Sequence, residues 1–328
     1  MQGPGTVAKM RGHADKRPPI LFRCLLDEQP TELLPRPALA KLKRLRAADG
    51  LVLNPCCQFS SNDLRQLPFL ERFFSVSNTL WALDPATDAL LPFWLSADSL
   101  RRLGSTQPGD PPPRDIPSQL ASALRFADLL VSRDFKKRRR KEWAGTVAEL
   151  AAPFQERGYV PLTGLLHPFH VASLRRYFRE LIAAGAFETG KGRYANCDLE
   201  HNEPVARFFH HQLASVISDL AGEPVRPSFV FICSYRGGAE LYKHTDREQC
   251  EFTISLCVDF MPEPRGVTRW PLYLETKKGR VVIQQALGDG LLFRGRELPH
   301  YRKPLPNGCT STSLLFHFVR RDFTGHLE

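Results

Sequence analysis

The sequence predicts an α+β protein whose C-terminal part is a double-stranded β-helix, or jelly roll, with flanking helices. A mostly helical N-terminal accessory region precedes it. Two observations carry this reading. After Arg226 the chain breaks into short β-rich runs punctuated by Gly and Pro: SFVFICSYRGG, CEFTISLCVDF, WPLYLE, RVVIQQAL, GLLFRG and STSLLFHFV. Many short strands at such spacing are the pattern of a barrel or jelly roll. Between 146 and 222 the apolar residues recur instead with helical periodicity, interrupted by one strand.

Taken in order, residues 1–18 are Gly-, Lys- and Arg-rich without periodicity and are expected to be a flexible tail. From Pro37, PALAKLKRLRAADG sets Leu39, Leu42 and Leu45 on one helical face and stops at Asp49-Gly50. Short apolar segments follow at Val52-Leu53, Phe73–Leu83 and 90–95. Prolines 108, 111, 112, 113 and 117 make 104–118 a linker or ordered loop. SQLASALRFADLLVSRDF then reads as one helix, with Leu120, Leu124, Ala127 and Leu130-Val131 on its buried side. Another helix ends near Gly158, before a strand through Tyr159–Leu162. LHPFHVASLRRYFRELIAAG is an amphipathic helix stopped by Gly185, and EPVARFFHHQLASVISDLAG is one more, closing at Gly222. The expected divisions are therefore the tail 1–18, an accessory region 19–140 and the jelly-roll domain 141–328.

Composition bounds the partners. Of 328 residues, 42% are hydrophobic and 24% charged, which excludes wholesale disorder. Net charge is +10, a thinly spread excess that favours anionic partners without by itself meaning nucleic acid. The run Lys136–Lys141 (KKRRRK) lacks interleaved aromatics and is read as a solvated helix face rather than a base-stacking patch. No apolar run is long enough to span a membrane, and the N-terminus lacks the apolar core of a secretory signal. Eight Cys without a C-x-x-C pair point to free, mostly buried thiols and a cytoplasmic setting. The oligomeric state is left open.

The chemistry is sought among ten histidines. His-x-acid occurs at His13-Asp15, His201-Glu203 and His244-Asp246, where composition alone gives about one match by chance. Context separates them. His13 lies in the expected tail, and Glu203 suits the start of a helix at Pro204. His244 and Asp246 sit between two strands, and residues i and i+2 of a strand share a face. His300, closing GDGLLFRGRELPH, supplies a third ligand. Two imidazoles and one carboxylate on one face of a metal leave open positions, as in non-heme Fe(II) oxygenases. The His210-His211 pair is expected to cap a helix or face solvent, Cys56-Cys57 to pack rather than hold zinc, and His317 is left unassigned.

Around these ligands lie Y-x-x-G-x-x-L-x-x-H-x-D, formed by Tyr235, Gly238, Leu241, His244 and Asp246, and G-D-x-L-x-F-x-G-x-x-x-x-H, formed by Gly288, Asp289, Leu291, Phe293, Gly295 and His300. With FQERGYVPLTGLL and the helix carrying LRRYF, the pattern resembles the Fe(II)/2-oxoglutarate-dependent dioxygenase superfamily, nearest its prolyl 4-hydroxylase-like branch, over residues 146–320. The resemblance implies that His244, Asp246 and His300 bind Fe(II) and that 2-oxoglutarate takes two of the open positions. O2 takes the last, with release of succinate and CO2. The intact carboxylate of Asp246 argues for hydroxylation rather than halogenation. The expected acceptor is an amino acid, a peptide or protein side chain, or a natural-product intermediate.

One departure stands out. The family places Arg or Lys about ten residues after the distal histidine, to hold the far carboxylate of 2-oxoglutarate; here residue 310 is Thr. Arg302, two residues after His300, is the expected replacement, with Arg320 and Arg247 as weaker candidates. Tyr235 and Thr312 are the other expected cofactor contacts, Thr312 facing inward with Thr310. Two rival readings remain: a non-catalytic β-barrel binding module using its basic surface, and a cupin-type metal oxygenase that does not use 2-oxoglutarate.

Overall fold

The computed structural model describes residues 19–27, 31–45, 50–59, 67–74 and 78–327, so the expected tail lies outside the described residues. Helix α1 (Arg36–Arg44) carries Pro37 in its first turn and stops sooner than its apolar spacing suggested, because Leu45 is already extended. Strand β1 (Val52–Leu53) is followed by a three-stranded antiparallel sheet of β2 (Cys57–Phe59), β3 (Thr79–Leu83) and β4 (Leu90–Trp94). Helix α2 (Ala97–Leu103) is capped by the Ser96 side chain, which accepts from the Ser99 N–H. The proline-rich stretch is a loop.

The helix expected over 118–135 is instead α3 (Ser118–Phe126) followed by β5 (Leu130–Val131). Asp128 adopts a positive φ of 54°, which ends the helix, and Leu130 and Val131 pair with β1. Helix α4 (Phe135–Arg157) then begins well before its expected start. Its first turns carry the basic run as a mostly solvated face, with Arg139 turned onto Asp84 at 2.7 Å. Gly158, at φ 76°, closes it in the left-handed conformation that favours glycine.

Strand β6 (Tyr159–Leu162) and helix α5 (Pro168–Ala183) fall where the sequence put them. β7 (Glu188–Thr189) and β8 (Cys197–His201) are short and polar, and no apolar run marks them. The helix expected over 203–222 is two, α6 (Pro204–Gln212) and α7 (Ala214–Ala221), broken at Leu213. Glu203 caps α6 by accepting from the Ala206 N–H, the helix-start role expected of it.

Eight strands complete the chain: β9 (Val225–Arg236), β10 (Leu241–His244), β11 (Phe252–Met261), β12 (Leu272–Thr276), β13 (Gly279–Ile283), β14 (Gly290–Phe293), β15 (His300–Arg302) and β16 (Thr310–Arg320). They form two antiparallel sheets, ordered β14-β11-β16-β9 and β10-β15-β12-β13. Consecutive strands thus cross repeatedly between sheets, which is the jelly roll. β6, β8 and β7 widen the larger sheet.

Alternation assigns the larger sheet's faces. Ile232, Ile254, Leu256, Leu314, Phe316 and Phe318 are fully buried in the main core cluster with residues of α5–α7, while the intervening residues face the smaller sheet. The apolar core is continuous with the N-terminal region. The Phe22 ring meets Trp94, Tyr177 and Phe209 at 5.8, 5.9 and 5.7 Å. The buried guanidinium of Arg175 bonds Asp259 of β11, Glu263 and the Leu33 carbonyl, pinning the segment before α1 to the jelly roll.

Candidate metal centre

Strand pairing closes the gap between the candidate ligands. β10 and β15 pair antiparallel with His244 opposite His300 and Leu241 opposite Arg302. Asp246 follows the end of β10, where its N–H donates to the Gly295 carbonyl at 2.9 Å. The carboxylate Oδ1 then lies 3.6 Å from His244 Nε2 and 3.5 Å from His300 Nε2. The ligand atoms of all three residues fall within 4.8 Å of one another.

The neighbouring groups orient these atoms. His244 Nδ1 faces the Tyr242 carbonyl at 2.7 Å and His300 Nδ1 faces the Leu298 carbonyl at 3.0 Å. A carbonyl can only accept, so each Nδ1 donates to one, and Nε2 is the ring nitrogen turned toward Asp246. Thr253 Oγ1 donates to Asp246 Oδ2 at 2.8 Å, leaving Oδ1 as the atom turned to the imidazoles. Gly295 is needed here for space: a Cβ would lie 2.2 Å from Asp246 Oδ2 and 2.6 Å from Thr253 Oγ1.

Burial would raise the Asp246 carboxyl, but the His244, His300 and His317 imidazoles and the Thr253 hydroxyl outweigh it and hold the group at about 2. Burial depresses His300, against the pull of Asp246. A carboxylate held ionised beside two imidazoles oriented by backbone carbonyls is the donor set of a divalent first-row metal, and these residues fit one.

The three residues open into a cavity of about 500 Å³ between the two sheets. Arg302 reaches its inner end with only 7% of the residue exposed. Its guanidinium donates to the Trp270 carbonyl and to Gln285 Oε1, and stacks on the Trp270 ring at 4.7 Å. No carboxylate pairs with it among the described residues, and burial lowers its pKa. Tyr235 lines the same end, its ring against Trp270 at 4.8 Å.

Thr312 departs from expectation. Ser311 pairs across from Tyr235 and so shares its inward face, while Thr312 pairs with Ser234 and bonds its hydroxyl at 3.1 Å on the opposite face. Ser313 lines the cavity instead. Of the weaker candidates, Arg320 is engaged outside the cavity by Glu251 at 3.0 Å, whereas Arg247 stands at the cavity mouth.

Sequence reasoning missed several groups. His201 ends β8 at the cavity, and Cys250 and His317 form with Asp246 a second cluster of possible ligand atoms. His317 Nδ1 approaches Thr253 Oγ1 at 3.1 Å. Because that hydroxyl already donates to Asp246, the imidazole is the donor. Alternation along LLFHFV, with Phe316 and Phe318 buried on the helix side, was the available signal for His317. His210 neither caps nor faces solvent: it is buried and bonds the His317 carbonyl at 2.7 Å. A larger cavity of about 720 Å³ between α1 and α5 contains neither cluster of possible metal ligands found among the described residues.

No protein-family model matches the chain, and no curated protein matches it. Solved structures overlap about half of the chain. The non-heme alpha ketoglutarate dependent epimerase SnoN from nogalamycin biosynthesis aligns at TM-score 0.47 and 17% identity, over 54% of this chain and 84% of that one. A prolyl-4-hydroxylase from Pseudomonas putida aligns at 0.42 and 16%, over 53% and 99%. A prolyl hydroxylase from Trichoplax adhaerens, solved with a hypoxia inducible factor peptide, aligns at 0.45 and 16%, over 54% and 91%. The jelly-roll assignment rests on strand order and register, independently of these overlaps.

Proposed function

We propose that the protein is an Fe(II)- and 2-oxoglutarate-dependent oxygenase that hydroxylates a small molecule or a peptide or protein side chain. The observation that carries this is Arg302. A buried guanidinium without a counter-charge is costly, so it points to an anion that belongs beside it. Its position in the same cavity as His244, Asp246 and His300 supports an anion that is also bound to a metal held there. When bound together, iron(II) and 2-oxoglutarate supply with O2 an oxidant for C–H bonds, releasing succinate and CO2.

The chain's own residues have separate tasks. His244, Asp246 and His300 hold the metal through Nε2, Oδ1 and Nε2, with Thr253 and two backbone carbonyls fixing their orientation. Arg302 holds the far carboxylate of the cofactor, and Tyr235 and Trp270 wall that end against water. Phe229, Phe231 and Leu315 line the side left for the substrate.

Anaerobic titration of the full chain with Fe(II), then 2-oxoglutarate, tests the reading through the visible charge-transfer absorption of an iron–2-oxo acid chelate, followed by succinate assay on admitting O2. His300→Ala should remove metal uptake. Iron binding with O2 consumption but no requirement for 2-oxoglutarate would favour the cupin-type alternative. Failure to bind either would leave a binding module.

A further inference from the structure

The oxygenase reading of the cavity uses its inner end and leaves its mouth unexplained; the inference here rests on that reading and concerns the mouth. Arg247 follows Asp246 directly, and its carbonyl accepts from the Cys250 N–H at 3.0 Å, so its backbone is tied to the metal-site loop. Its guanidinium lies over the Phe229 ring at 5.2 Å. Neither an ion pair nor a side-chain hydrogen bond engages it among the described residues. The Phe229 ring in turn packs on His317 at 4.5 Å and His201 at 5.2 Å, which holds that ring in place as a wall.

Charge in the cavity identifies what is missing. Asp246 is the single carboxylate among the residues lining it, against two guanidinium groups, Arg247 and Arg302. A divalent metal and the 2-oxoglutarate dianion cancel each other. Asp246 offsets one arginine, and a single positive charge is left. Arg302 is engaged at the inner end, which leaves Arg247, solvent-exposed at the mouth, as the guanidinium placed to meet a further anion. Phe229, Phe231 and Leu315 line the same cavity, with His201 and His317 packed on the Phe229 ring. Guanidinium groups favour carboxylate or phosphate, and aromatic walls favour a flat apolar body.

We propose that the substrate is an anion, a carboxylate or a phosphate monoester, borne on a flat apolar body. Arg247 holds the anionic group at the mouth while Phe229 and Phe231 receive the ring. The body then extends toward the metal residues, which selects for oxidation at a carbon remote from the anion.

The test uses the full chain with Fe(II) and saturating 2-oxoglutarate under argon, and measures binding of matched probes by ligand-observed NMR and calorimetry. The probes are 3-phenylpropanoate, 2-phenylethyl phosphate, 3-phenylpropanamide, 3-phenylpropan-1-amine and propanoate. The carboxylate or the phosphate should bind at least about tenfold more tightly than the amide, the value of one charge-assisted contact. The amine and ring-free propanoate should bind weakest. Arg247→Gln should remove most of the anion's advantage, and Arg247→Lys should keep part of it. Whichever of the two anions is preferred identifies the substrate's acid group. Equal binding of amide and acid, or no binding by any arylalkyl probe, overturns the proposal. So does an anion preference that survives Arg247→Gln undiminished. If 2-oxoglutarate itself fails to bind the wild-type chain, the oxygenase reading falls and the charge count behind this proposal falls with it. That outcome is read in its own titration, apart from the probe series.

Discussion

Replacing Arg302 with alanine is the perturbation that most directly separates a cofactor arginine from a structural one. Two of the guanidinium's donors are already used, one on the Trp270 carbonyl and one on Gln285 Oε1. The remaining N–H groups and the whole positive charge are available to a ligand. A charge-assisted hydrogen bond contributes about 1.5–3 kcal/mol, so loss of one effective contact raises the 2-oxoglutarate dissociation constant about ten- to a hundredfold. The fold loses little by comparison. The Trp270 carbonyl and Gln285 Oε1 lose a donor, costing about 1–3 kcal/mol, but the desolvation of an unpaired buried charge is relieved at the same time. The assay is anaerobic titration of the Fe(II)-loaded variant with 2-oxoglutarate, alongside metal affinity and Tm. The expected result is a weakened cofactor, unchanged iron affinity and a modest Tm shift. Arg302→Lys should recover part of the binding, since an ammonium restores charge without the two-pronged contact. Unchanged 2-oxoglutarate saturation in Arg302→Ala would refute the assignment and leave the buried arginine as a brace for the loop at Trp270.

Other outcomes follow from distances and burial already described. Gly295→Ala places a methyl 2.2 Å from Asp246 Oδ2, so metal affinity should fall at least about tenfold by calorimetry while far-ultraviolet circular dichroism stays native. A fragment beginning near residue 141 should be insoluble or aggregated by sedimentation, because it uncovers Tyr177, Phe208 and Phe209, each at most 2% exposed and each worth about 1.5–3 kcal/mol of burial. A soluble monomeric fragment would show that the N-terminal region is dispensable for the core. Burial depresses His167 to about 4 and His170 to about 3, so both are neutral in the folded chain and an unfolded chain takes up protons first. Stability is then level above pH 6.5 and falls as pH drops below it, down to about 4 for His167 and about 3 for His170, by up to about 1.4 kcal/mol per pH unit for each group. Metal-free Tm measured from pH 7.5 to 4 checks this, and a flat profile counts against it.

How much of this was legible in the sequence depends on how each feature encodes itself. Strands with an apolar row announced themselves: β9, β11 and β16 each carry buried residues along most of their length. β10 and β15 did not, being short and bearing Lys243, His244, His300 and Arg302 in place of an apolar run. These two strands bring the histidines together, so the site's ligands were readable from motif spacing while the pairing that joins them was not. The same limit explains Thr312. The stretch Thr310–Ser313 is polar at every position, so composition cannot fix its parity. Phe316 and Phe318, buried on the helix side, do fix it. Helix breaks at Asp128 and Leu213 were invisible for a different reason, since both interrupt runs whose apolar periodicity continues across the break.

That parity also accounts for where the cavity's cation comes from. Thr310 pairs with Arg236, the outward neighbour of cavity-lining Tyr235, so its side chain falls on the face turned away from the cavity. A basic residue at 310 in this register would point out of the barrel, whatever its length. β15 belongs to the other sheet and pairs with β10 so that Arg302 lies opposite Leu241, both facing the cavity. Two residues along, His300 faces the same way. One short strand therefore supplies both a candidate metal ligand and the cation. The chain fixes their separation through a single i, i+2 repeat instead of through contact between two sheets. Trp270 and Gln285 hold the guanidinium from the loops beside β12 and β13, both neighbours in the smaller sheet. The buried cation of this cavity thus comes from the strand that carries His300, and residue 310 could not supply it in this register.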